Sequence, residues 1–269
     1  MDAWDQRFAE RSPLLSPLRD AARQIAGGNW PEIPVLQQLL ERAAVRTASG
    51  LPLRLVPAGP AGGEPYEIRL YARGELEFRE HNWHDLFNVL MWLLFPLAKA
   101  ALNARHHAAF AVAHASGGRG AVRDALTLFD EDGIIALAAD PALLQMIRDF
   151  KWKPLFWTRR ADVVAGMRFL PFGHALCEKA LAPYKGMTGR GLLLDVGGDL
   201  LELPPVAQVA RVDNLVAQRI AGAGALQHPR DLAPVPVLGV PGWCAGNEHA
   251  EYYDDRDYFR PGRGPKGRG

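Results

Sequence analysis

The spacing of apolar side chains along this chain changes several times, and each change marks an element. In residues 16–26, SPLRDAARQIA, Leu18, Ala21, Ala22 and Ile25 recur at helical spacing, with Ser16 placed to cap and Pro17 at the first helical position. A second helical pattern follows from about Val35 to Arg46. The stretch after the short strand LPLRLV and a Pro/Gly-rich loop, YEIRLYARGELEFRE, alternates on both sides of Arg73 and Gly74, which predicts a β-hairpin. From Trp83 the period becomes helical again and holds to about Ala115, except at Pro96, which lacks an amide hydrogen and must kink or break the helix.

Beyond the SGGRG loop, DALTLFDEDGIIAL reads as two strand-like runs around the turn-rich tetrapeptide Asp130 to Gly133, a second hairpin. PALLQMIRDF, the segment from about Phe172 to Ala182 and residues 205–221 carry helical patterns, and RGLLLDV reads as a strand. Residues 230–260 hold many prolines, glycines and aromatics with little periodicity, which predicts an irregular arm wrapped over the rest. Helices mixed with hairpins, in place of strict strand–helix alternation, predict an α+β class: a mainly helical single domain with one or two hairpins.

Composition narrows this further. At 269 residues and 48% hydrophobic, the chain can bury a large core without disulfide or metal staples. Its two cysteines, Cys177 and Cys244, stand alone in their segments and read as free thiols of a reducing compartment, and the N-terminus lacks the order of a signal or transit peptide, so a cytoplasmic location is expected. No uncharged run reaches the roughly 20 residues needed to cross a bilayer, so no membrane partner is expected. The formal net charge is +1, but the last ten residues, RPGRGPKGRG, supply four positive charges and no negative ones, leaving the rest at −3. Residues 1–259 are therefore expected to form the domain and 260–269 a disordered basic tail, the only feature pointing, weakly, to nucleic acid.

The chemistry concentrates where it is least expected, in the most hydrophobic run. Positions 84, 88, 92, 95, 99, 103 and 106 step by three or four, so His84, Asn88, Trp92, Phe95, Lys99, Asn103 and His106 share one face of a continuous helix; if the chain folds back at Pro96, His84 and Asn88 instead approach Asn103 and His107. The plain reading of such a stripe is a solvated helix face. Asparagine argues against it, because it is a mediocre helix former that Glu, Lys or Gln would replace on an ordinary surface.

WHDLFN, the following W-x-x-F-P segment and KAALN, with RDALTLFDEDG, FGHALCEKALAPY, PVPVLGVPGWCAGNE, YYDD and YFRP in the same order, resemble a family of bacterial proteins, domain-of-unknown-function family 3025. The resemblance covers roughly residues 15–263 and implies one family domain. It carries no assigned activity and no site residue.

Other clusters are weaker. Asp130, Glu131 and Asp132 lack the twelve-residue ligand spacing of an EF-hand and read first as turn formers, although Asp124 or Asp130 with His84 and His106 would make a mixed set for Mn²⁺, Fe²⁺ or Zn²⁺. His174, Cys177 and Glu178 share a helix and read as structural. Asn247, Glu248, Asp254 and Asp255, among Trp243, Tyr252, Tyr253 and Tyr258, read as a docked strap before a binding loop. G-x-x-x-x-G-K-[ST], G-x-S-x-G, C-x-x-C, H-E-x-x-H and a glycine-rich dinucleotide fingerprint are all missing, so the corresponding chemistries lack support.

The function expected first is a metal-assisted hydrolase, with phosphodiesters as a candidate substrate and a thematic likeness to ββα-metal nucleases: His84 as base or ligand, Asn88 and Asn103 as orienters, His106 or His107 and Asp130 as further ligands, and Mn, Fe or Zn as the divalent ion. The alternative is a non-catalytic binding or assembly protein that uses the stripe, with Trp92 and Phe95, as a partner groove.

Overall fold

The structure is a computed structural model and describes residues 3–58, 64–116, 120–222 and 224–262. The chain folds as a mainly helical α+β domain around one continuous core.

The N-terminal piece holds α1 (Arg19–Gln24) and α2 (Ile33–Arg42). A 3₁₀ turn over Pro13–Leu18 precedes α1, and the capping side chain is Ser12, which accepts from the Leu14 amide; Ser16 lies inside that turn. β1 (Arg54–Val56) pairs in parallel with β2 (Glu75–Glu77), and between them lies α3 (Tyr66–Arg73). The first expected hairpin is therefore absent, and with it the likeness to ββα-metal nucleases. YEIRLY alternates, but Tyr66 and Leu70 are also one helical turn apart, and Gly74 stops the helix at φ 70° after Pro65 starts it. A Cβ at Gly74 would also strike the Pro52 carbonyl oxygen at 2.3 Å.

Two helices follow, α4 (Trp83–Leu94) and α5 (Pro96–Ser116), bent by 112° across Phe95. Asn82 caps α4 through the Asp85 amide. Pro96 starts α5, and the buried Asp213 carboxylate caps it by accepting from the Leu97 and Ala98 amides at 3.0 and 2.8 Å. The run thus folds back at its proline. Among the described residues no single helix is long and apolar enough to cross a membrane.

α6 (Ala121–Asp132) runs straight into β3 (Gly133–Ala138) with no turn between, so the second expected hairpin is also absent. Ala125, Leu126 and Phe129 form its buried helical face, an alternative that LTLF alternation concealed. β3 is buried throughout and sits at the centre of a four-stranded sheet of order β4-β3-β5-β6. β4 (Met167–Pro171) is antiparallel to β3, β5 (Thr188–Asp195) parallel to it, and β6 (Ala233–Pro236) antiparallel to β5. The helices α7 (Pro141–Arg148), α8 (Arg160–Gly166), α9 (His174–Lys179), α10 (Gly198–Leu201) and α11 (Pro205–Ala221) complete the domain, with α11 against α5.

The C-terminal arm is β6 followed by short 3₁₀ turns. The Arg260 carbonyl accepts from the Trp152 indole at 3.0 Å, and residues 263–269, most of the segment expected to be a disordered tail, lie outside the described residues.

Candidate metal centre

Two glycines bring α9 against the end of α6. A Cβ at Gly173 would lie 2.3 Å from both the Glu131 carbonyl oxygen and the Gly133 amide nitrogen, and one at Gly133 would lie 2.2 Å from the Phe129 carbonyl oxygen. Only glycine tolerates these approaches, and they set His174, the first residue of α9, beside Glu131 in the last turn of α6. His84, in the first turn of α4, completes the group.

His84 Nε2 stands 3.0 Å from His174 Nε2, 3.8 Å from the Glu131 carboxylate; His174 Nε2 is 3.6 Å from the same carboxylate. These three side chains are the one group of candidate metal donors found among the described residues. With bonds of about 2.1 Å, donor atoms in cis-octahedral or tetrahedral positions stand roughly 3.0 to 3.4 Å apart, so the cluster needs only a slight contraction to hold an ion.

The tautomers point the same way. His84 Nδ1 lies 3.0 Å from the Glu178 carboxylate, so the hydrogen belongs on Nδ1 and Nε2 presents its lone pair to the cluster, the carboxylate–histidine pairing that orients metal ligands. Burial pushes His174 down to about 3, more than the nearby Asp130 carboxylate pulls it up, so it is neutral at physiological pH. Burial and the neighbouring Asp130 charge push Glu131 upward from the usual carboxylate range. A cation among these groups would relieve that burden.

The end of α6 adds an electrostatic argument. Asp130, Glu131 and Asp132 occupy a helix C-terminus, where the dipole disfavours negative charge. Lys99 pairs with Asp130 and Lys179 with Asp132 at 2.6 Å, while among the described residues Glu131 pairs with the two histidines alone. Burial raises the Asp130 carboxyl but the Lys99 ammonium outweighs it with its neighbours, leaving Asp130 below its ordinary range.

The cluster lines a cavity of about 380 Å³ in the crook of α4 and α5, at the small end of the range for ligand pockets. Lys99 sits in the crook: its buried ammonium donates to Asn88 Oδ1 at 2.9 Å and to Asp130, with Trp92 and Phe172 rings 5.7 and 6.0 Å away. Asn88 in turn donates to the Tyr66 hydroxyl at 3.3 Å. Burial, with Asp130 next, drives the Tyr66 phenol far above its ordinary value, so it remains a neutral O–H donor.

Of the residues singled out in the sequence, His84, Asn88, Lys99, Asn103, His106 and Asp130 all line this one cavity. The stripe is turned inward, so it is no solvated face, and Trp92 and Phe95 are fully buried and offer no groove to a protein partner. His84 reaches the donor cluster; Asp130 is bound to Lys99, and His106 lies along the other limb of the crook. His107, one position on, stacks on Tyr71 with ring centroids 4.1 Å apart and does not line the cavity.

Sequence reasoning missed Tyr66 and the roles of Glu131, His174 and Glu178. The signal for His174 was its place behind Gly173 at a helix start; nothing local tied it to Glu131. Cys177 is buried and its thiol pushed up by desolvation, so it offers no thiolate.

Fold and cluster together define a helical α+β domain with a two-histidine, one-carboxylate candidate centre. The model of the family described as protein of unknown function DUF3025 matches residues 53–263, and the chain belongs to that family. The match takes in every residue of the cluster and leaves the N-terminal helices outside. No curated protein and no solved structure matches the chain.

Proposed function

We propose that this chain is a metal-dependent hydrolase of a small substrate. The observation that carries the reading is the convergence of two imidazole nitrogens and a carboxylate, with Glu178 behind His84, on the wall of a cavity. Two histidines and a glutamate with an open position are the donor set of hydrolytic zinc sites, and Fe²⁺ and Mn²⁺ suit the same ligands. Such an ion supplies a Lewis acid and a water acidic enough to attack at neutral pH.

The remaining roles fall to side chains already in place. Glu178 holds His84 with its Nε2 lone pair turned inward, and burial keeps His174 unprotonated. Tyr66 accepts from Asn88, so its own hydrogen is available to a substrate oxygen in the cavity. Lys99 fixes Asn88 and Asp130, with the Trp92 and Phe172 ring centroids 5.7 and 6.0 Å from its ammonium.

The phosphodiester version loses support. Among the described residues the cavity's two cations are both committed, Lys99 to Asp130 and Arg79 to Asp85, which it grips at 2.8 Å through both nitrogens. The reading is tested by reconstituting the protein with Zn²⁺, Mn²⁺ or Fe²⁺ and screening small esters and amides. Turnover that needs the ion and disappears in His174→Ala supports it; turnover unaffected by chelation and by His174→Ala contradicts it.

A further inference from the structure

The limb of the cavity formed by α5 has a composition unlike the metal cluster. Asn103 donates its Nδ2 to the Glu67 main-chain carbonyl at 3.0 Å, which fixes the amide orientation and leaves Oδ1 as a buried acceptor without a donor. His106, 6% exposed, has a buried Nδ1 without a partner. Glu67 lines the same cavity, its carboxylate lies close enough to act on the His106 charge, and no ion pair or side-chain hydrogen bond engages that carboxylate among the described residues.

Buried polar atoms are nearly always satisfied, and each exception in a cavity wall asks what satisfies it. On the α5 limb the exceptions are an amide oxygen and an imidazole nitrogen, with the Glu67 carboxylate near them, while the unpartnered indole donor of Trp92 belongs to α4. Burial holds His106 below its ordinary value, so it is neutral and one ring nitrogen is bare. The matching ligand group donates several hydrogen bonds and carries positive charge.

We propose, building on the hydrolase reading, that the substrate carries a cationic nitrogen group of ammonium, amidinium or guanidinium type, seated on Glu67, Asn103 and His106 while its reactive bond faces His84, Glu131 and His174. The charge of the cavity agrees. Arg79 cancels Asp85, Lys99 cancels Asp130, and Glu77 is paired with Arg69 outside the cavity, which leaves Glu67 and Glu131 uncompensated. An ion at Glu131 neutralises one end, and a substrate cation neutralises the other.

The test is calorimetric titration of the zinc-loaded protein with four probes of matched size: butylguanidine, butylamine, butyramide and butyrate. The expected result is that the two cations bind at least about 10-fold more tightly than the amide and the acid, and that Glu67→Gln, with unchanged zinc content, removes that preference. Equal or tighter binding of butyrate, no difference among the probes, or a preference that survives Glu67→Gln overturns the proposal. Zinc content measured beside the titration separates the two claims: cation preference in a wild-type protein that retains no zinc keeps this subsite and removes the metal reading, while zinc bound to wild type without cation preference does the reverse.

Discussion

The cavity between α4 and α5 and the C-terminal arm both place polar side chains among apolar ones, yet they treat them in opposite ways. In the arm every such group is used. Asn247 is fully buried and donates to the Leu238 and Val240 carbonyls at 2.9 and 2.7 Å; Tyr258 donates to the Met187 carbonyl and accepts from the Leu238 amide; Tyr253 donates to the Gly239 carbonyl. In the cavity, Trp92 Nε1, Asn103 Oδ1, His106 Nδ1 and His174 Nδ1 are buried and unpartnered. Saturated polar groups fasten a strap to the core; unsaturated ones in a cavity wall are kept for something outside the chain.

The contrast is broken most directly by its two buried asparagines. Asn247→Ala leaves the Leu238 carbonyl without a donor and takes one of two donors from the Val240 carbonyl, which keeps the Trp243 amide; at about 1 to 3 kcal/mol for the unsatisfied group and about 1 kcal/mol for the other lost bond, it is expected to cost about 2 to 4 kcal/mol, with bound metal unchanged. Asn103→Leu removes one hydrogen bond and one unsatisfied acceptor, and is expected to change stability by no more than about 1 kcal/mol. Urea midpoints for the two variants check both values, and an Asn103 variant as damaged as the Asn247 one would erase the distinction.

Glu178→Gln comes next. It keeps the shape beside His84 but removes the carboxylate that sets its tautomer, and a 10- to 100-fold loss of metal affinity is expected from the usual effect of such partners. Competition with a chelator measures it, and an affinity within two- to three-fold of wild type would remove Glu178 from the site.

A smaller effect concerns pH. Burial lowers His106 below its ordinary value of 6.5, against the pull of Asp130 and Glu67 and with Arg123 and Lys99 adding to it. The unfolded chain therefore binds this proton first as pH falls, so the stability His106 contributes is complete above about pH 6.5 and declines below it, by at most about 1.4 kcal/mol per pH unit. His106→Gln should flatten the fall in urea midpoint between pH 7.5 and 5.5; an unchanged slope would show that His106 takes up its proton equally in the folded and unfolded chain.

The sequence showed the cavity better than the centre. Helical spacing in residues 82–107 put His84, Asn88, Lys99, Asn103 and His106 on one surface, and the asparagines argued correctly that it was no ordinary solvated face. The long helices α7 and α11 were legible from their apolar periods, as was β5. Two segments were not. YEIRLY and LTLF satisfy both strand alternation and a helical i, i+4 pattern, and tertiary packing of Leu70 and Phe129 decided for helix. That misreading hid the centre, because a turn at Asp130 to Gly133 has no reason to face His174, whereas the end of a helix held against Gly173 does. Glu131 and His174 are 43 positions apart, and their meeting depends on two glycine contacts that no local pattern reports.

The central claim rests on His84, Glu131 and His174 holding an ion. Elemental analysis of the purified protein, after dialysis against Zn²⁺, Mn²⁺ or Fe²⁺ and removal of excess, measures this beside the His84→Ala/His174→Ala variant checked for an intact fold. One equivalent of a transition metal per wild-type chain and none in the variant is the predicted result. No ion retained by wild type under any of the three conditions, or the same stoichiometry in the folded variant, would contradict it.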